Sequence, residues 1–142
     1  MEECSKKPKT SGPVRLGYVI LYVPSVEATL SFYEAAFGLS RQLLHKSGAY
    51  GELNTGSTSL AFVSESLRES NGVTAALNRP DGIAAGAEIA LVVGSVAQAY
   101  DHAVGKGAIP LVSPKETPWG QTVAYVRDCN GFLVELCSKM AE

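Results

Sequence analysis

Two glutamates in strand-like segments, Glu88 and Glu135, are the residues of this sequence best suited to chemistry. If their carboxylates lie close together, repulsion raises the pKa of one of them, and a carboxylate with a raised pKa can act as a general base. Strand alternation places Glu135 on the face opposite to its neighbours Val134 and Leu136. A glutamate kept for a structural hydrogen bond fits the same pattern equally well.

Aromatic side chains accompany these glutamates in other strand-like segments. Alternation puts Tyr18 and Tyr22 on one face of the first strand, and Tyr125 and Trp119 can extend the same aromatic wall. Such walls with a few polar groups are typical of small-molecule pockets. Tyr22 and Tyr125 fit a packed core equally well. Trp119 lies in a Pro-Trp-Gly loop, which favours a position facing a cleft or a partner.

Two further residues, Glu52 and Phe62, complete the candidate ligand-binding set. Both histidines fit surface or half-buried structural roles better than catalytic ones, because His45 lies in a strand pattern and His102 lies beside the apolar stripe of a helix. His45 would change charge near neutral pH if it pointed into a cleft. The sequence contains no glycine-rich phosphate loop and no arrangement typical of a Ser-His-Asp or Cys-His enzyme.

The composition predicts one soluble domain. The chain has 142 residues, 46% of them hydrophobic, and a net charge of −2, which argues against a nucleic-acid partner. No apolar run reaches the ~18 residues of a membrane span, and no secretory signal is visible. Three cysteines with no paired spacing (Cys4, Cys129 and Cys137) favour a reduced, cytoplasmic setting. A polar stretch at residues 1–14 is predicted to be a flexible tail.

Two segments of the chain resemble each other, which predicts a duplicated fold. Residues 18–26 and 88–96 lie 70 positions apart, about half of the chain. Each is a strand-like run that turns and continues into a helical pattern. The identical pairs are Leu21/Leu91, Val23/Val93, Ser25/Ser95 and Val26/Val96. Two copies are too few for a solenoid, so a pair of packed modules is the better prediction.

The elements predicted around these copies repeat in the order β-α-β-β-β. The first module spans 15–63 and the second 87–139, and the second could be one strand shorter because prolines break the chain after Val112. Predicted strands cover 16–23, 40–45, 50–54, 57–63, 109–112, 122–127 and 132–137, with helices from Val26 to Phe37 and from Val96 to Val104. The connector at 64–86 is predicted as a long linker that also covers a cavity.

These motifs resemble the vicinal oxygen chelate superfamily, which includes glyoxalase I, the bleomycin-resistance proteins and the extradiol dioxygenases. The resemblance covers residues 16–139. It rests on the Pro-Ser-Val corner at 24–26, the Phe-Gly-Leu helix end at 37–39 and the Asp-Cys-Asn-Gly-Phe-Leu-Val-Glu run at 128–135. It implies an α+β fold of two βαβββ modules, whose curled mixed sheets form a cleft, and it leads us to expect a homodimer.

The same resemblance implies where a metal would bind. Family members that use a metal carry a histidine at the start of a module's first strand and a glutamate in its closing strand. The matching positions here are Tyr18, Leu60 or Ala61, Glu88 and Glu135. Zinc, nickel and iron favour imidazole, and none of these positions offers one. A hard ion such as magnesium tolerates oxygen ligands but needs more of them or several waters.

Three functions are therefore open. The first, which we favour, is a metal-free protein that binds a small planar or aromatic molecule in the cleft. The second is a metal-dependent lyase, isomerase or dioxygenase resembling glyoxalase I, with Glu88 and Glu135 as ligands or base. The third is an assembly module with a vestigial cleft. No cofactor is expected, and a divalent metal, if one binds, would be held by the two glutamates.

Overall fold

The computed structural model describes residues 12–140. Most of the predicted tail, together with Cys4, lies outside the described residues. The elements in chain order are β1 (Tyr18–Val23), α1 (Val26–Phe37), β2 (Arg41–Leu44), β3 (Tyr50–Leu53), β4 (Ser59–Ser64), α2 (Glu65–Ser70), β5 (Glu88–Val92), α3 (Val96–Gly105), β6 (Ile109–Glu116), β7 (Thr122–Arg127) and β8 (Leu133–Cys137). The predicted order of two βαβββ modules is confirmed, and the second module has all four strands.

The first module is a four-stranded sheet, sheet A, with strand order β1-β4-β3-β2. Strand β1 runs parallel to β4, and the other neighbours are antiparallel. Helix α1 begins where the Ser25 side chain accepts a hydrogen bond from the Ala28 backbone N–H. It ends at Gly38, whose φ of 70° is the left-handed conformation that favours glycine. The helix packs on one face of sheet A through Val26, Leu30 and other apolar side chains.

The second module, with sheet B, repeats this plan with strand order β5-β8-β7-β6. Strand β1 pairs with β4 so that Ile20 lies beside Ala61, and β5 pairs with β8 so that Ala90 lies beside Glu135. Because Ile20 and Ala90 are 70 positions apart, like the repeated segments, Ala61 is the structural counterpart of Glu135. The sequence had left Leu60 and Ala61 as alternatives at this position.

The two modules meet on their helix-covered sides. Helix α1 packs against α3, and the two sheets stay separate, with β1 and β5 each at a sheet edge. The Tyr33 hydroxyl donates a 2.6 Å hydrogen bond to the Asp128 carboxylate, and both residues are fully buried. The other oxygen of Asp128 accepts from the backbone N–H groups of Asn130 and Phe132. This contact joins α1 of the first module to the β7–β8 turn of the second.

Two elements differ from the prediction. The connector contains the short helix α2, whose Arg68 donates to the Ala75 carbonyl 2.6 Å away. Strand β6 continues to Glu116 through Pro114, although prolines were expected to end it. It can do so because β6 is an edge strand and its register shifts between Val112 and Lys115, where proline is tolerated. In residues 12–140 no helix has the length and apolar content needed to cross a bilayer.

Candidate functional site

Sheet B exposes the face opposite α3, called here open face B, which carries Glu88, Ala90, Val92, Val123, Tyr125, Arg127, Leu133, Glu135 and Cys137. Strand pairing brings its central groups together, because Glu135 lies beside both Ala90 of β5 and Tyr125 of β7. The Tyr125 hydroxyl donates to Glu135 Oε1 over 2.9 Å. Glu88, Glu135 and Tyr125 therefore lie on one face of a single module, whereas Tyr18 and Tyr22, expected on the same aromatic wall as Tyr125, lie on the other sheet.

The electrostatics of this face follow from two neighbouring carboxylates. Partial burial, the charge of Glu135 and hydrogen bonding to it raise the pKa of Glu88. The hydrogen bond to Glu135, with some burial, raises the pKa of Tyr125 to about 12. Burial and the same carboxylates raise the pKa of Cys137, so its thiol stays protonated at neutral pH. Because its pKa is raised, Glu88 takes up a proton more readily than an ordinary glutamate as the pH falls.

A cavity of about 280 Å³ adjoins Tyr125 and Glu135. It is lined by these two residues and by Lys115, Glu116, Trp119 and Gln121, among others. Trp119 is 59% exposed and lies at its edge. Its ring N–H donates to Gln121 Oε1 at 3.0 Å, and Gln121 in turn donates to the Ser138 carbonyl. The indole is therefore fixed in orientation, and what it offers a ligand is the face of its ring.

The face of sheet A opposite α1, called here open face A, carries the remaining aromatic candidates. Tyr18 and Tyr22 lie on it in β1, and Glu52 lies on it in β3. The Tyr50 hydroxyl donates to Glu52 Oε2 at 2.6 Å. Burial is the main reason that the pKa of Tyr50 is raised, and this hydrogen bond is the second. Sequence reasoning did not select Tyr50, although its position two residues before Glu52 in a strand was a usable signal.

Phe62 lies apart from the other candidates. Its side chain is fully buried on the helix side of sheet A, where its ring centre is 5.0 Å from that of Tyr33. His45 is exposed and bonded to Ser47 Oγ at 2.8 Å. His102 is exposed and donates through Nε2 to the Ala35 carbonyl at 2.8 Å. Neither histidine lies on open face B.

The residues at the family's metal positions do not fit a first-row transition metal. Ala61 has no donor atom, Tyr18 offers a phenol on the other sheet, and only Glu88 and Glu135 lie together. Across residues 12–140, no group of three or more histidine, cysteine, aspartate or glutamate side chains is arranged to hold an ion. Zinc, nickel and iron sites rely on imidazole or thiolate donors that this set does not offer.

A larger cavity, of about 610 Å³, lies on the helix side and contains none of the predicted site residues. It runs between the end of α1 at Phe37, the residues that follow β5 at Val93 and Ser95, and the first turn of α3 at Gln98. Sequence reasoning gave no signal for it, because it arises only where α1 of the first module meets α3 and β5 of the second.

The comparison with protein families explains the doubled architecture. The family model described as "Glyoxalase/Bleomycin resistance protein/Dioxygenase superfamily" matches residues 15–136. The chain belongs to this superfamily. The resemblance noted in the sequence is confirmed, together with the fold class that it implied. No curated protein sequence shows a significant match to the chain.

Solved structures of other superfamily members share this fold. A glyoxalase-related enzyme from Fulvimarina pelagi is 22% identical, with a TM-score of 0.73 and 88% of both chains covered. A glyoxalase/bleomycin resistance protein/dioxygenase from Nocardioides is 20% identical, with a TM-score of 0.71, and covers 93% of this chain and 87% of its own. A family enzyme from Burkholderia phytofirmans PsJN is 19% identical, with a TM-score of 0.72, and covers 88% of this chain and 98% of its own. At these identities the likeness concerns the fold.

Proposed function

We propose that this superfamily member binds a small planar or aromatic molecule on open face B, without a transition metal. The observation that carries the proposal is the cavity beside Trp119, where two aromatic rings and a carboxylate converge at the place of the family's metal site. The donor set supports the metal-free mode, because the position that matches Glu135 in the first module is Ala61. No cofactor is part of this proposal.

The hydrogen bonds of the site favour a ligand with a positive charge. The Trp119 N–H is already donated to Gln121, and the Tyr125 O–H is donated to Glu135. What these groups still offer is two ring faces and carboxylate oxygens, which attract cations. Lys115 also lines the cavity, but its single positive charge faces the two carboxylates of Glu116 and Glu135. A flat cation can stack on Trp119 and direct its N–H groups to Glu135.

Trp119 is the only tryptophan, so its fluorescence reports the site directly. We expect the planar cation proflavine to quench it saturably, and to bind at least about tenfold more tightly than the anion 9-anthracenecarboxylate. Glu135→Gln should weaken proflavine binding by about tenfold, because the amide carries no charge. The matched control is Glu34→Gln, which removes the charge of a glutamate on α1 that forms a salt bridge with Arg41 of β2. Equal binding of both dyes, or no saturable quenching, would contradict the proposal.

A proton-transfer enzyme is the second candidate, and the raised pKa of Glu88 beside Glu135 favours it. In this alternative the pair serves as a base, or as metal ligands, in a lyase, isomerase or dioxygenase reaction. Elemental analysis of the purified protein separates the candidates. We expect no stoichiometric zinc, nickel, iron or manganese. A stoichiometric metal that disappears in Glu135→Gln would replace the binding proposal with the enzyme.

We further propose that a second copy of the chain completes the cleft and that the protein acts in the cytoplasm as a homodimer. Both open faces expose apolar side chains, with Tyr18 53%, Ile20 43% and Val92 66% exposed, and the edge strands β1 and β5 each have one side without a partner strand in sheets A and B. Sedimentation velocity should give about twice the monomer mass. Ile20→Lys should shift the protein towards monomer, whereas Lys46→Ala on the β2–β3 turn should not.

A further inference from the structure

A cavity lies between the two modules, at a place that a side chain fills in the other half of the molecule. It has a volume of about 300 Å³ and is lined by Val19, Thr55, Thr58, Leu60, Glu88 and Leu91, among others. It lies where β1 and β4 of sheet A approach β5 of sheet B. Of the residues that line it, only Glu88 and Ala90 lie on open face B.

The duplication shows what fills the corresponding place. Ala61 and Glu135 occupy equivalent positions in the two modules. Thr58 and Phe132, three residues before them, are therefore counterparts as well. Phe132 is 6% exposed and packs into the core of the first module. Thr58, in the same position of the other module, has a small polar side chain and lines a cavity instead. A phenyl ring occupies one place, and the other is open.

The neighbouring strands record the same difference. Ile89 of β5 also lines the cavity, but it is half-buried because it packs against the core that contains Phe132. Its counterpart in β1, 70 positions earlier, is Val19, which is 41% exposed beside the cavity. An apolar side chain on the helix side of a sheet is normally covered. The exposure of Val19 therefore follows from the missing ring at Thr58.

The polar side chains of the cavity retain hydrogen-bond acceptor capacity, and Thr55 Oγ1 already accepts one bond, from the Leu60 backbone N–H at 2.9 Å. Thr58 Oγ1 donates its proton to the Leu16 carbonyl at 2.8 Å, and Thr55 Oγ1 donates to the Thr58 carbonyl at 2.8 Å. Their remaining capacity is as acceptors, like that of the Glu88 carboxylate. A cavity as small as ~150 Å³ can hold a benzene molecule, so this volume is sufficient for one substituted ring.

From this we infer that the inter-module cavity is a second ligand site, which binds a single-ring aromatic molecule carrying a hydroxyl or amino group. The ring takes the place that Phe132 fills in the other half, between Val19 and Leu91. The hydroxyl or amino group donates a hydrogen bond to Glu88 or to a threonine oxygen. The residues that line this site do not include Trp119.

The test uses 4-fluorophenol as the probe and the full chain as the protein. In the wild type, ¹⁹F NMR should show saturable binding, and the methyl signals of Val19 and Leu60 should shift with it. Binding of 4-fluoroanisole, which lacks the donor proton, should be several-fold weaker. Thr58→Phe should weaken 4-fluorophenol binding by about tenfold or more, because the new ring occupies the cavity. Ser57→Phe, which adds the same ring at an exposed neighbouring position, should not.

Three results would overturn the inference. The first is an absence of methyl shifts at Val19 and Leu60 at saturating probe. The second is binding to Thr58→Phe as tight as to the wild type. The third is loss of binding in Trp119→Ala with retention in Thr58→Phe, which would place the ring on open face B. If Thr58→Phe does not fold, Thr58→Leu and the wild-type methyl shifts give the same decision.

Discussion

The two modules share one backbone plan but differ in where they carry bulk and where they carry charge. The core of the first module is built from large side chains, among them Tyr33, Phe62 and Leu30. The core of the second is built mainly from small ones, such as Ala103 and Ala124. On the open faces, the first module has Tyr18 and Ala61 where the second has Glu88 and Glu135, so only the second module carries the carboxylate pair.

This contrast shows how duplication separates stability from chemistry. Burial of large aromatic side chains contributes most per residue to stability, and the first module contains most of it. A pair of carboxylates on a sheet costs stability unless it is hydrated or hydrogen-bonded. The second module has such a pair on open face B. The core of the first module and the hydrogen bond between Tyr33 and Asp128, called here the joint between the modules, contribute the stability that offsets it. Four measurements test this division.

The largest effect is expected from a matched pair of core truncations. Phe62 and Leu136 are counterparts, and both are almost fully buried. Phe62→Ala should lower the free energy of unfolding by about 4 kcal/mol and Leu136→Ala by about 3 kcal/mol, because the larger deletion leaves the larger cavity. Equilibrium denaturation in guanidinium chloride measures both. A greater loss of unfolding free energy for Leu136→Ala would show that the core of the first module does not contribute more stability than that of the second.

A milder variant separates packing from ligand binding at the same position. Sequence analysis placed Phe62 among the ligand-binding residues, whereas its ring packs on Tyr33 on the helix side of sheet A. Phe62→Leu should therefore lower stability without changing the affinity for proflavine at Trp119. A changed affinity in this variant, with the fold intact, would connect the first module's core to the site.

An intermediate effect is expected at the joint between the modules. Tyr33→Phe removes the donor to Asp128 and leaves a buried carboxylate oxygen unpaired. The free energy of unfolding should fall by about 1–3 kcal/mol. Tyr100→Phe, which deletes a hydroxyl from the partly buried Tyr100 on α3, serves as the control and should change it by less than about 0.5 kcal/mol. Equal effects of the two substitutions in thermal and guanidinium unfolding would show that the joint has no special role.

The smallest effect concerns the carboxylate pair, and its sign depends on pH. The pKa of Glu88 is raised in the folded protein, so the folded state holds this proton more tightly than the unfolded one. Its contribution to stability is therefore present below the ordinary value of 4.5 and is lost as the pH rises through the folded pKa. Glu88→Gln should gain up to ~0.5 kcal/mol at pH 7, since repulsion at an exposed site is screened.

The same substitution in the other module sharpens this comparison. The gain in Glu88→Gln should vanish at about pH 3, well below the ordinary pKa of 4.5, where Glu88 is protonated in both the folded and the unfolded state. Glu52→Gln should give no gain at pH 7, because Glu52 accepts a hydrogen bond from Tyr50. Thermal unfolding at the two pH values measures all four cases. A gain for Glu52→Gln as large as that for Glu88→Gln would mean that the carboxylate pair has no effect.

Local signals were sufficient for most of the fold. Helices α1 and α3 begin at Val26 and Val96 as predicted, because the side-chain oxygen of the preceding serine, Ser25 or Ser95, accepts a hydrogen bond from a free backbone N–H of the first turn. Helix α2 was missed because its six residues are mostly polar and show no apolar period. Strand β6 was predicted too short because a proline ends a strand only where its missing N–H is needed, and an edge strand does not need it.

The orientation of side chains in β4 could not be predicted for a different reason. Leu60, Ala61, Phe62 and Val63 are consecutive apolar residues, and all are buried. A strand that is covered on both faces shows no alternation, so its sequence does not say which residues face the helix. Register against β1 settles this point, and register is a property of two strands that lie about 40 residues apart in the chain.

The sequence by itself determined the duplication, the order of the elements, the superfamily and the absence of histidine from its metal positions, because each depends on residue types at nearby or repeated positions. The tertiary structure alone decided that Glu88, Tyr125 and Glu135 meet on one sheet while Tyr18 and Glu52 lie on the other. It also decided that Thr58 leaves a cavity where Phe132 fills one. Proximity of side chains depends on strand register and on how two modules pack, and neither is written in any single segment.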